Sequence, residues 1–407
     1  MTEIIVTLTK HTEKVVYDSV MDKTISHEEK KLAQDELRAF HKYASIIVLV
    51  LMGILAVWLF RQLAAPRMDF YNELWGPASL LVQGKSPYDT SSLNPNLSAA
   101  WFPMAIGFFF PLGWLPETAA LRVWFIFNIL ELCAIIYIVQ GDDRSAYNTG
   151  ILVLLCLFFP PTLNHFSLGQ ISITVTLCLV LAAHFANKER HWLSALCVAL
   201  ALSKPHLALL AGLGLSYRHY LRGKGRGMIY FWTRTLAMSL ALCLPLFIAH
   251  PNWIPDAILS MRQNPFWLYP SLFILFQRYF DAWGYIMWGT TSIFTVWSCY
   301  LLWRRLPTAN AMYWSLALAP LLSPYVGSWD FVVLLPLLIL TFVKINRAQK
   351  VFYIILYAAA WHGMALVQIQ EASHNHFFWW VPLWFLGMSA FMTNWKTDNL
   401  RGCAQRV

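Results

Sequence analysis

The chain has 407 residues, of which 58% are hydrophobic and 16% aromatic. Only 13% are charged, well below the roughly 25% that is usual in soluble globular proteins, so a soluble globular protein is excluded. The formal net charge of +9 is explained by Lys and Arg facing the cytoplasm in a multi-spanning protein, and nucleic acid is not expected as a partner.

Residues 1–43 are polar and charged and lack the apolar core of a signal peptide. We expect them to form a cytoplasmic N-terminal segment. Within this segment, residues 26–40 fit either a solvated helix or a helix at the membrane surface, with Ser26 as the N-cap.

Apolar stretches of about the length needed to cross a bilayer then recur along the chain. Together they predict one membrane-embedded domain, residues 44–393, followed by a cytoplasmic tail, residues 394–407. The clear spans are residues 45–63, 118–139, 149–163, 171–186, 230–248, 283–303, 351–368 and 377–392.

Three further apolar regions are interrupted or short. Lys204-Pro205 breaks residues 192–217, and a Ser-Pro-containing segment, 323–330, breaks residues 310–343; each region is long enough for two short helices. Residues 101–115 contain two prolines and fit an interfacial segment better than a span. Non-helical backbone at membrane depth is tolerated only against protein or a wet cavity, so the two breaks point to a pocket.

The expected fold is therefore an all-α bundle of about 12 transmembrane helices. The distribution of Lys and Arg favours a topology with both termini in the cytoplasm and with long outer loops at residues 64–100 and 251–282. Polar and ionisable residues gather on the outer side, which is where we expect the active site of a multi-pass protein of the cell membrane.

No metal or other cofactor is expected. The seven cysteines show no CxxC spacing, and six of them lie inside apolar segments. His374 and His376 share a loop without a carboxylate motif that would complete a metal site.

Asp69 lies just after the first span, among aromatic neighbours. A carboxylate at a membrane boundary is placed to be partly desolvated and to act as a general base. The alternative is an Asp that caps the following helix.

Several motifs follow one another in a fixed order along the chain: Asp69-Phe-Tyr71, Gly84-Lys-Ser-Pro-Tyr-Asp89, Phe102-Pro103, Ser167-Leu-Gly169-Gln170, Lys204-Pro205, and Ser323-Pro-Tyr with Trp329-Asp330. In this order they resemble glycosyltransferase family 87, the polyprenol-phosphate-mannose-dependent α-1,2-mannosyltransferase type with a C-type glycosyltransferase fold. The sequence departs from the family pattern at Ser172, where an Asn commonly follows the Gly-Gln pair.

The resemblance implies an inverting transfer of a sugar from a polyprenyl-monophosphate donor to a lipid-linked or surface glycan acceptor at the outer face of the membrane. Mannose is the sugar expected first. The resemblance also implies that Asp69 is the catalytic base, which accepts the proton of the acceptor hydroxyl. Lys204 and Arg262 are candidates to bind the donor phosphate, because a departing phosphate calls for cations. The candidates to bind sugar or acceptor are Tyr71, His165, Gln170, Trp329 and Asp330.

Structural roles stay open for several of these residues. The Lys204 side chain could also extend from a helix end to the membrane surface, as snorkelling lysines do. Arg262 could also anchor its own loop. Asp330 fits an N-cap, and Gln170 and His165 fit groups that satisfy local backbone.

Three other functions are compatible with the residues. A transporter or flippase of a lipid-linked sugar would more naturally show inverted repeats and polar breaks near mid-bilayer. A polysaccharide ligase or polymerase would take a lipid-diphosphate donor. A non-catalytic scaffold would not require Asp69 and Lys204 to converge.

Overall fold

The computed structural model describes residues 69–93, 102–142, 145–263, 269–370 and 375–393. The predicted N-terminal segment, the first span at residues 45–63 and the tail at 394–407 lie outside the described residues. Every element in the described ranges is helical, which confirms the all-α prediction for them.

Within the described residues the α-helical stretches are, in chain order, α1 (Gly76–Val82), α2 (Pro103–Phe109), α3 (Glu117–Gln140), α4 (Ala146–Leu157), α5 (Pro160–Leu168), α6 (Ser172–Asn187), α7 (His191–Ala201), α8 (Pro205–Leu242), α9 (Leu244–Ala249), α10 (Trp253–Gln263), α11 (Leu272–Arg305), α12 (Thr308–Leu322), α13 (Leu335–Lys344), α14 (Arg347–Gln370) and α15 (Trp380–Met392). In α8 and α11 two helices meet at a residue with non-helical backbone, Lys224 and Asp281. Short 3₁₀-helices and one π-helix connect or extend them: Phe70–Trp75, Thr90–Ser92, Phe110–Trp114, Ser328–Leu334 and Asn375–Phe378.

By length and hydropathy, two described helices can cross a membrane alone: α3 and residues 347–368 of α14. The pair α4 and α5, bent by 57°, makes a third span if it is counted as one. The prediction of about twelve crossings is therefore not confirmed. Large apolar side chains are exposed on the surface of the described fold, and Ile248, Ile293 and Phe391 are each more than 70% exposed. Exposed apolar side chains of this kind are expected where a protein faces lipid.

Helix α6 lies at the centre of the described fold. It packs against α3, α7, α8 and α12, and most of its residues are buried, including Ala182 and Ala183. Small residues such as these let neighbouring helices approach closely, and a helix that is apolar on all sides is buried on all sides. The N-terminal ends of α6 and α8 therefore lie inside protein, close to one another.

The segment after Asp69 differs from the prediction. Residues 70–82 were expected in the first outer loop, but they form the π-helix Phe70–Trp75 continued by α1. Phe70, Leu74, Ala78 and Leu81 recur at helical spacing and are all buried. Burial of this apolar face explains why the segment is helical.

Residues 103–114 form α2 and a 3₁₀-helix of five residues. Together they extend about 20 Å, less than the roughly 30 Å of a bilayer's hydrocarbon core. This length fits the interfacial interpretation of the region.

The two predicted helix breaks are present. Helix α7 ends at Ala201 and α8 begins at Pro205, while α12 ends at Leu322 and the next helical turn begins at Ser328. The stretch called α8 contains two helices that meet at Lys224, whose φ of 53° is not helical. The indole NH of Trp232 donates to Oγ of Ser216, so the second helix folds back along the first. The first helix thus passes its predicted end at residue 217 by only a few residues.

Candidate active site

Asp69 stands at the N-terminal end of the π-helix but does not cap it, because its side chain makes no capping hydrogen bond. Instead, Nε2 of Gln170 donates a hydrogen bond to Oδ2 of Asp69, at 2.6 Å. Asp69 is partly buried. Burial raises the pKa of Asp69 above its ordinary value, although the hydrogen bond from Gln170 and the positive charge of Lys204 act in the opposite direction.

The turn that carries Gln170 depends on a glycine. Helix α5 ends at Gly169, whose φ of 74° is left-handed, a conformation that glycine adopts without strain. The backbone NH of Gly169 donates to the carbonyl of His165, and the indole NH of Trp124 donates to the carbonyl of Gly169. The turn is therefore held on both sides, and the Gln170 side chain is buried.

Lys204 lies in the break between α7 and α8. Its carbonyl accepts hydrogen bonds from the first turn of α8, and Pro205 occupies the first helical position, where a missing NH costs nothing. The side chain is 3% exposed. Nζ of Lys204 donates to Oε1 of Gln170 at 2.8 Å, to Oγ of Ser172 at 3.0 Å and to Oδ1 of Asp330 at 2.7 Å.

Asp330 lies in the 3₁₀-helix that follows the second break. Asp330 is the third residue of this helix and not its N-cap, which is Gly327. Its Oδ2 accepts the backbone NH of Gly327 at 3.0 Å, and its Oδ1 pairs with Lys204. A contact with substrate stays a prediction. Ser172 donates to Oδ1 at 2.5 Å, and Nε2 of His206 lies 3.4 Å from Oδ2.

These contacts join Asp69, Gln170, Lys204 and Asp330 into one continuous chain, called here the polar cluster. It holds a partly exposed carboxylate at one end and a buried ion pair at the other. An unpaired charge in this position would be strongly unfavourable, so Lys204 and Asp330 hold each other ionised. Gln170 uses its amide NH₂ on Asp69 and its amide oxygen on Lys204, which fixes its orientation.

The other predicted site residues lie around the polar cluster and make different contacts. His165 is fully buried, and its Nε2 lies 2.9 Å from Oδ1 of Asn128. Tyr71 stacks on Trp75, with ring centroids 5.6 Å apart. His165 therefore contacts a side chain and not the local backbone that was considered for it. The roles of His165 and Tyr71 in binding sugar or acceptor stay predictions.

Trp329 and Arg262 lie apart from the hydrogen-bond chain. The ring of Trp329 lies so close to Gly327 that a Cβ atom there would clash with it. Arg262 is exposed in the last turn of α10, and in the part of the chain that the structure describes no hydrogen bond or ion pair joins it to the polar cluster.

Sequence reasoning missed two members of the site. Ser172 was noted only as a departure from a family pattern, yet its hydroxyl contacts both Lys204 and Asp330. His206 follows the Lys-Pro pair directly and contacts Asp330, with its ring 4.7 Å from that of Tyr325. The sequence feature that could have identified His206 is its position in the first turn of α8, directly after Lys204 and Pro205.

Aromatic residues border the polar cluster. Tyr269 lies close enough to Asp69, Glu73 and Asp330 for their negative charges to add to burial in raising its pKa. Ser271 donates to the carbonyl of Pro324 at 2.8 Å. The chain before α11 is thereby tied to the second helix break.

The Gly84-to-Asp89 motif makes a structural contact. Oγ of Ser86 donates to Oδ2 of Asp256 at 2.5 Å, and Nε2 of His250 lies 2.9 Å from the same oxygen. The hydrogen bond from Ser86, followed by the contact with His250, lowers the pKa of Asp256. The motif thus ties the segment after α1 to α10, and its own Tyr88 is buried.

Among the described residues, no group of three or more His, Cys, Asp or Glu side chains is placed to hold a metal ion. Independence from metal stays a prediction.

The fold and the site together define a helical membrane protein in which two helix breaks meet in a buried ion cluster. The model of glycosyltransferase family 87 matches residues 101–324, which is more than half of the chain. The chain belongs to glycosyltransferase family 87, and this confirms the family predicted from the motifs. No curated protein and no solved structure matches it. Gln170 and Lys204 lie inside the matched range, whereas Asp69 and Asp330 lie outside it.

Proposed function

We propose that this glycosyltransferase moves a mannosyl group from a polyprenyl-monophosphate donor to a lipid-linked or surface glycan acceptor at the outer face of the cell membrane. The observation that carries the proposal is the Gln170 bridge, which links the partly exposed carboxylate of Asp69 to the buried cation of Lys204. Such an arrangement supplies a base and a positive charge within one connected group.

In the proposed reaction, Asp69 takes the proton of the acceptor hydroxyl while that oxygen attacks the anomeric carbon. The bond between the anomeric carbon and the phosphate oxygen breaks in the same step, and the lipid phosphate leaves as an anion. A single displacement inverts the anomeric configuration and needs one carboxylate. The raised pKa of Asp69 makes it a stronger base than an exposed Asp.

Lys204 and Arg262 are the proposed cations for the donor phosphate. A lysine has three NH donors, and those of Lys204 contact Gln170, Ser172 and Asp330. A phosphate oxygen would replace one of the neutral partners, Gln170 or Ser172, while the pairing with Asp330 keeps Lys204 in place. Arg262, exposed on α10, would approach the same phosphate from the outer surface.

The sugar and acceptor hydroxyls would then contact Gln170, Asp330, Tyr71 and Trp329, and His165 would support the turn from beneath. Gln170 and Asp330 carry acceptor oxygens next to Lys204, which suits them to hydroxyl groups. Tyr71 and Trp329 offer flat faces that can pack on the apolar side of a sugar ring.

The proposal is tested with purified protein reconstituted in lipid vesicles. Polyprenyl-phosphate-mannose and a crude glycolipid acceptor are supplied, and release of polyprenyl phosphate is measured. Parallel reactions contain a polyprenyl-diphosphate sugar or a nucleotide sugar. Turnover with the monophosphate donor alone supports the proposal. Turnover only with the diphosphate donor would instead indicate a polysaccharide ligase or polymerase, and movement of intact donor across the bilayer without transfer would indicate a flippase.

A further inference from the structure

A second group of polar side chains lies at the other end of the helices that build the polar cluster. Lys204 begins α8, and His219 lies fifteen residues further along the same helix, which is about 22 Å along the axis. Ser172 begins α6, and Ala186 lies at its far end. The second group is thus separated from the proposed reaction by most of the thickness of a hydrocarbon core.

The second group has a buried imidazole at its centre. His219 is 6% exposed, and its ring stacks on Phe231 with centroids 4.7 Å apart. The ring of His191 lies 5.5 Å from it. Nε2 of His219 and Nδ1 of His191 are buried and, within the described ranges, have no hydrogen-bond partner. Buried polar atoms of this kind normally have a partner.

Two arginines flank the imidazoles. Arg222 and Arg234 are close enough to act electrostatically on His219. Arg222 donates to the carbonyl of Ala186 at 3.0 Å, which holds it at the end of α6. Neither arginine forms an ion pair with a carboxylate in the described part of the chain. Two cations without a carboxylate partner in the described part of the chain favour the approach of an anion.

The surroundings of this site are those of a lipid-facing surface. The guanidinium of Arg234 lies over the rings of Trp192, at 5.7 Å, and Tyr230, at 5.9 Å. Trp192, Tyr230 and Ile229 are each more than half exposed. Tryptophan and tyrosine beside cations are typical of the boundary between headgroups and acyl chains.

We propose that Arg222 and Arg234 bind the phosphate of an anionic phospholipid in the leaflet opposite to the polar cluster. The arginines contribute the charge, the imidazoles of His191 and His219 lie behind them, and the acyl chains lie against the exposed residues of α7 and α8. This site is separate from the proposed transferase reaction and does not depend on it.

The test uses the purified full-length chain in detergent and native mass spectrometry. The probes are phosphatidylglycerol and phosphatidylcholine with identical acyl chains, and inorganic phosphate is the soluble competitor. The variant Arg222→Gln/Arg234→Gln removes the two site cations. The control variant is Arg304→Gln/Arg305→Gln, which removes two exposed charges at the same end of the bundle. The hydrogen bond from Arg218 of α8 to the carbonyl of Leu306 shows that the end of α11 lies there.

The expected result is a preference of the wild-type chain for phosphatidylglycerol, weakened by roughly tenfold or more in the site variant and by less than twofold in the control. Equal losses in both variants would show diffuse attraction to basic residues and would overturn the proposal. The proposal would also be overturned if the wild-type chain retained phosphatidylcholine as well as phosphatidylglycerol, or if millimolar inorganic phosphate displaced the bound lipid. If the double variant does not yield monodisperse protein, the two single variants are measured against Arg304→Gln in the same way.

Discussion

Nζ of Lys204 lies 2.7 Å from Oδ1 of Asp330, although 126 positions separate the two residues in the chain. Each residue lies in a helix break that the sequence indicates, and each side chain is 3% exposed. The pair therefore links the two breaks across the core of the protein. Four predictions follow from it and from the residues bound to it.

Removing one member of the pair should destabilise the protein strongly. Lys204→Met or Asp330→Leu leaves an uncompensated buried charge, for which the cost is roughly 3–5 kcal/mol. The double variant should be less destabilised than the sum of the two single variants, because neither charge remains. Thermal unfolding of the four proteins, followed by tryptophan fluorescence in one detergent, measures this coupling. Strictly additive effects would show that the pair contributes no coupling energy.

The pH dependence of activity should report on Asp69. A general base acts only when it is deprotonated, so a raised pKa means that activity falls, as the pH is lowered, at a pH above the ordinary Asp value of about 3.9. The hydrogen bond from Gln170 lowers the pKa of Asp69. Gln170→Leu should therefore move this acid limb to a higher pH as well as lower kcat by about tenfold or more.

The measurement is kcat/KM against pH for wild type and Gln170→Leu. Loss of activity without movement of the acid limb would mean that Gln170 supports the fold or binds substrate but does not tune Asp69. The matched control is Gln83→Leu, which alters an exposed side chain just before Gly84 and should leave the profile unchanged.

Gly169→Ala should destabilise the protein by about 1–2 kcal/mol, because an alanine is strained at a φ of 74°. The same change shifts the turn that carries Gln170 and should lower activity. Gly289→Ala is the control, since its Cβ would meet no atom within 4 Å in helix α11, and it should be neutral or stabilising. Equal unfolding temperatures for the two variants would contradict the role given to the turn.

Much of the candidate site could be predicted from the sequence. An ionisable residue at a break in an apolar segment is costly unless it is paired or binds a ligand, and this reasoning favours Lys204, while the order of motifs adds Asp330. The order of motifs added Asp69 and Gln170, and the structure brings all four together. Their chemical roles stay proposals.

Other parts could not be predicted, because they depend on tertiary packing. Ser172 and His206 gain their significance from Asp330, which is more than 120 positions away in the chain. The helix after Asp69 was read as a loop because its apolar residues are spaced among polar ones over a short stretch. Hydropathy alone also did not show that the helix beginning at Pro205 continues past residue 217 to the turn at Lys224, because residues 218–226 are largely polar.

The most direct test of the central claim is transfer of mannose from polyprenyl-phosphate-mannose by Asp69→Asn in reconstituted vesicles. The control is Asp89→Asn, which alters an exposed carboxylate twenty positions further along the chain, and both variants are first checked for wild-type unfolding temperature. With Asp69 as the general base, Asp69→Asn should lose a factor of about 10²–10⁴ in kcat, and Asp89→Asn should retain wild-type activity. Wild-type turnover by a folded Asp69→Asn variant would contradict the account and remove Asp69 from the mechanism.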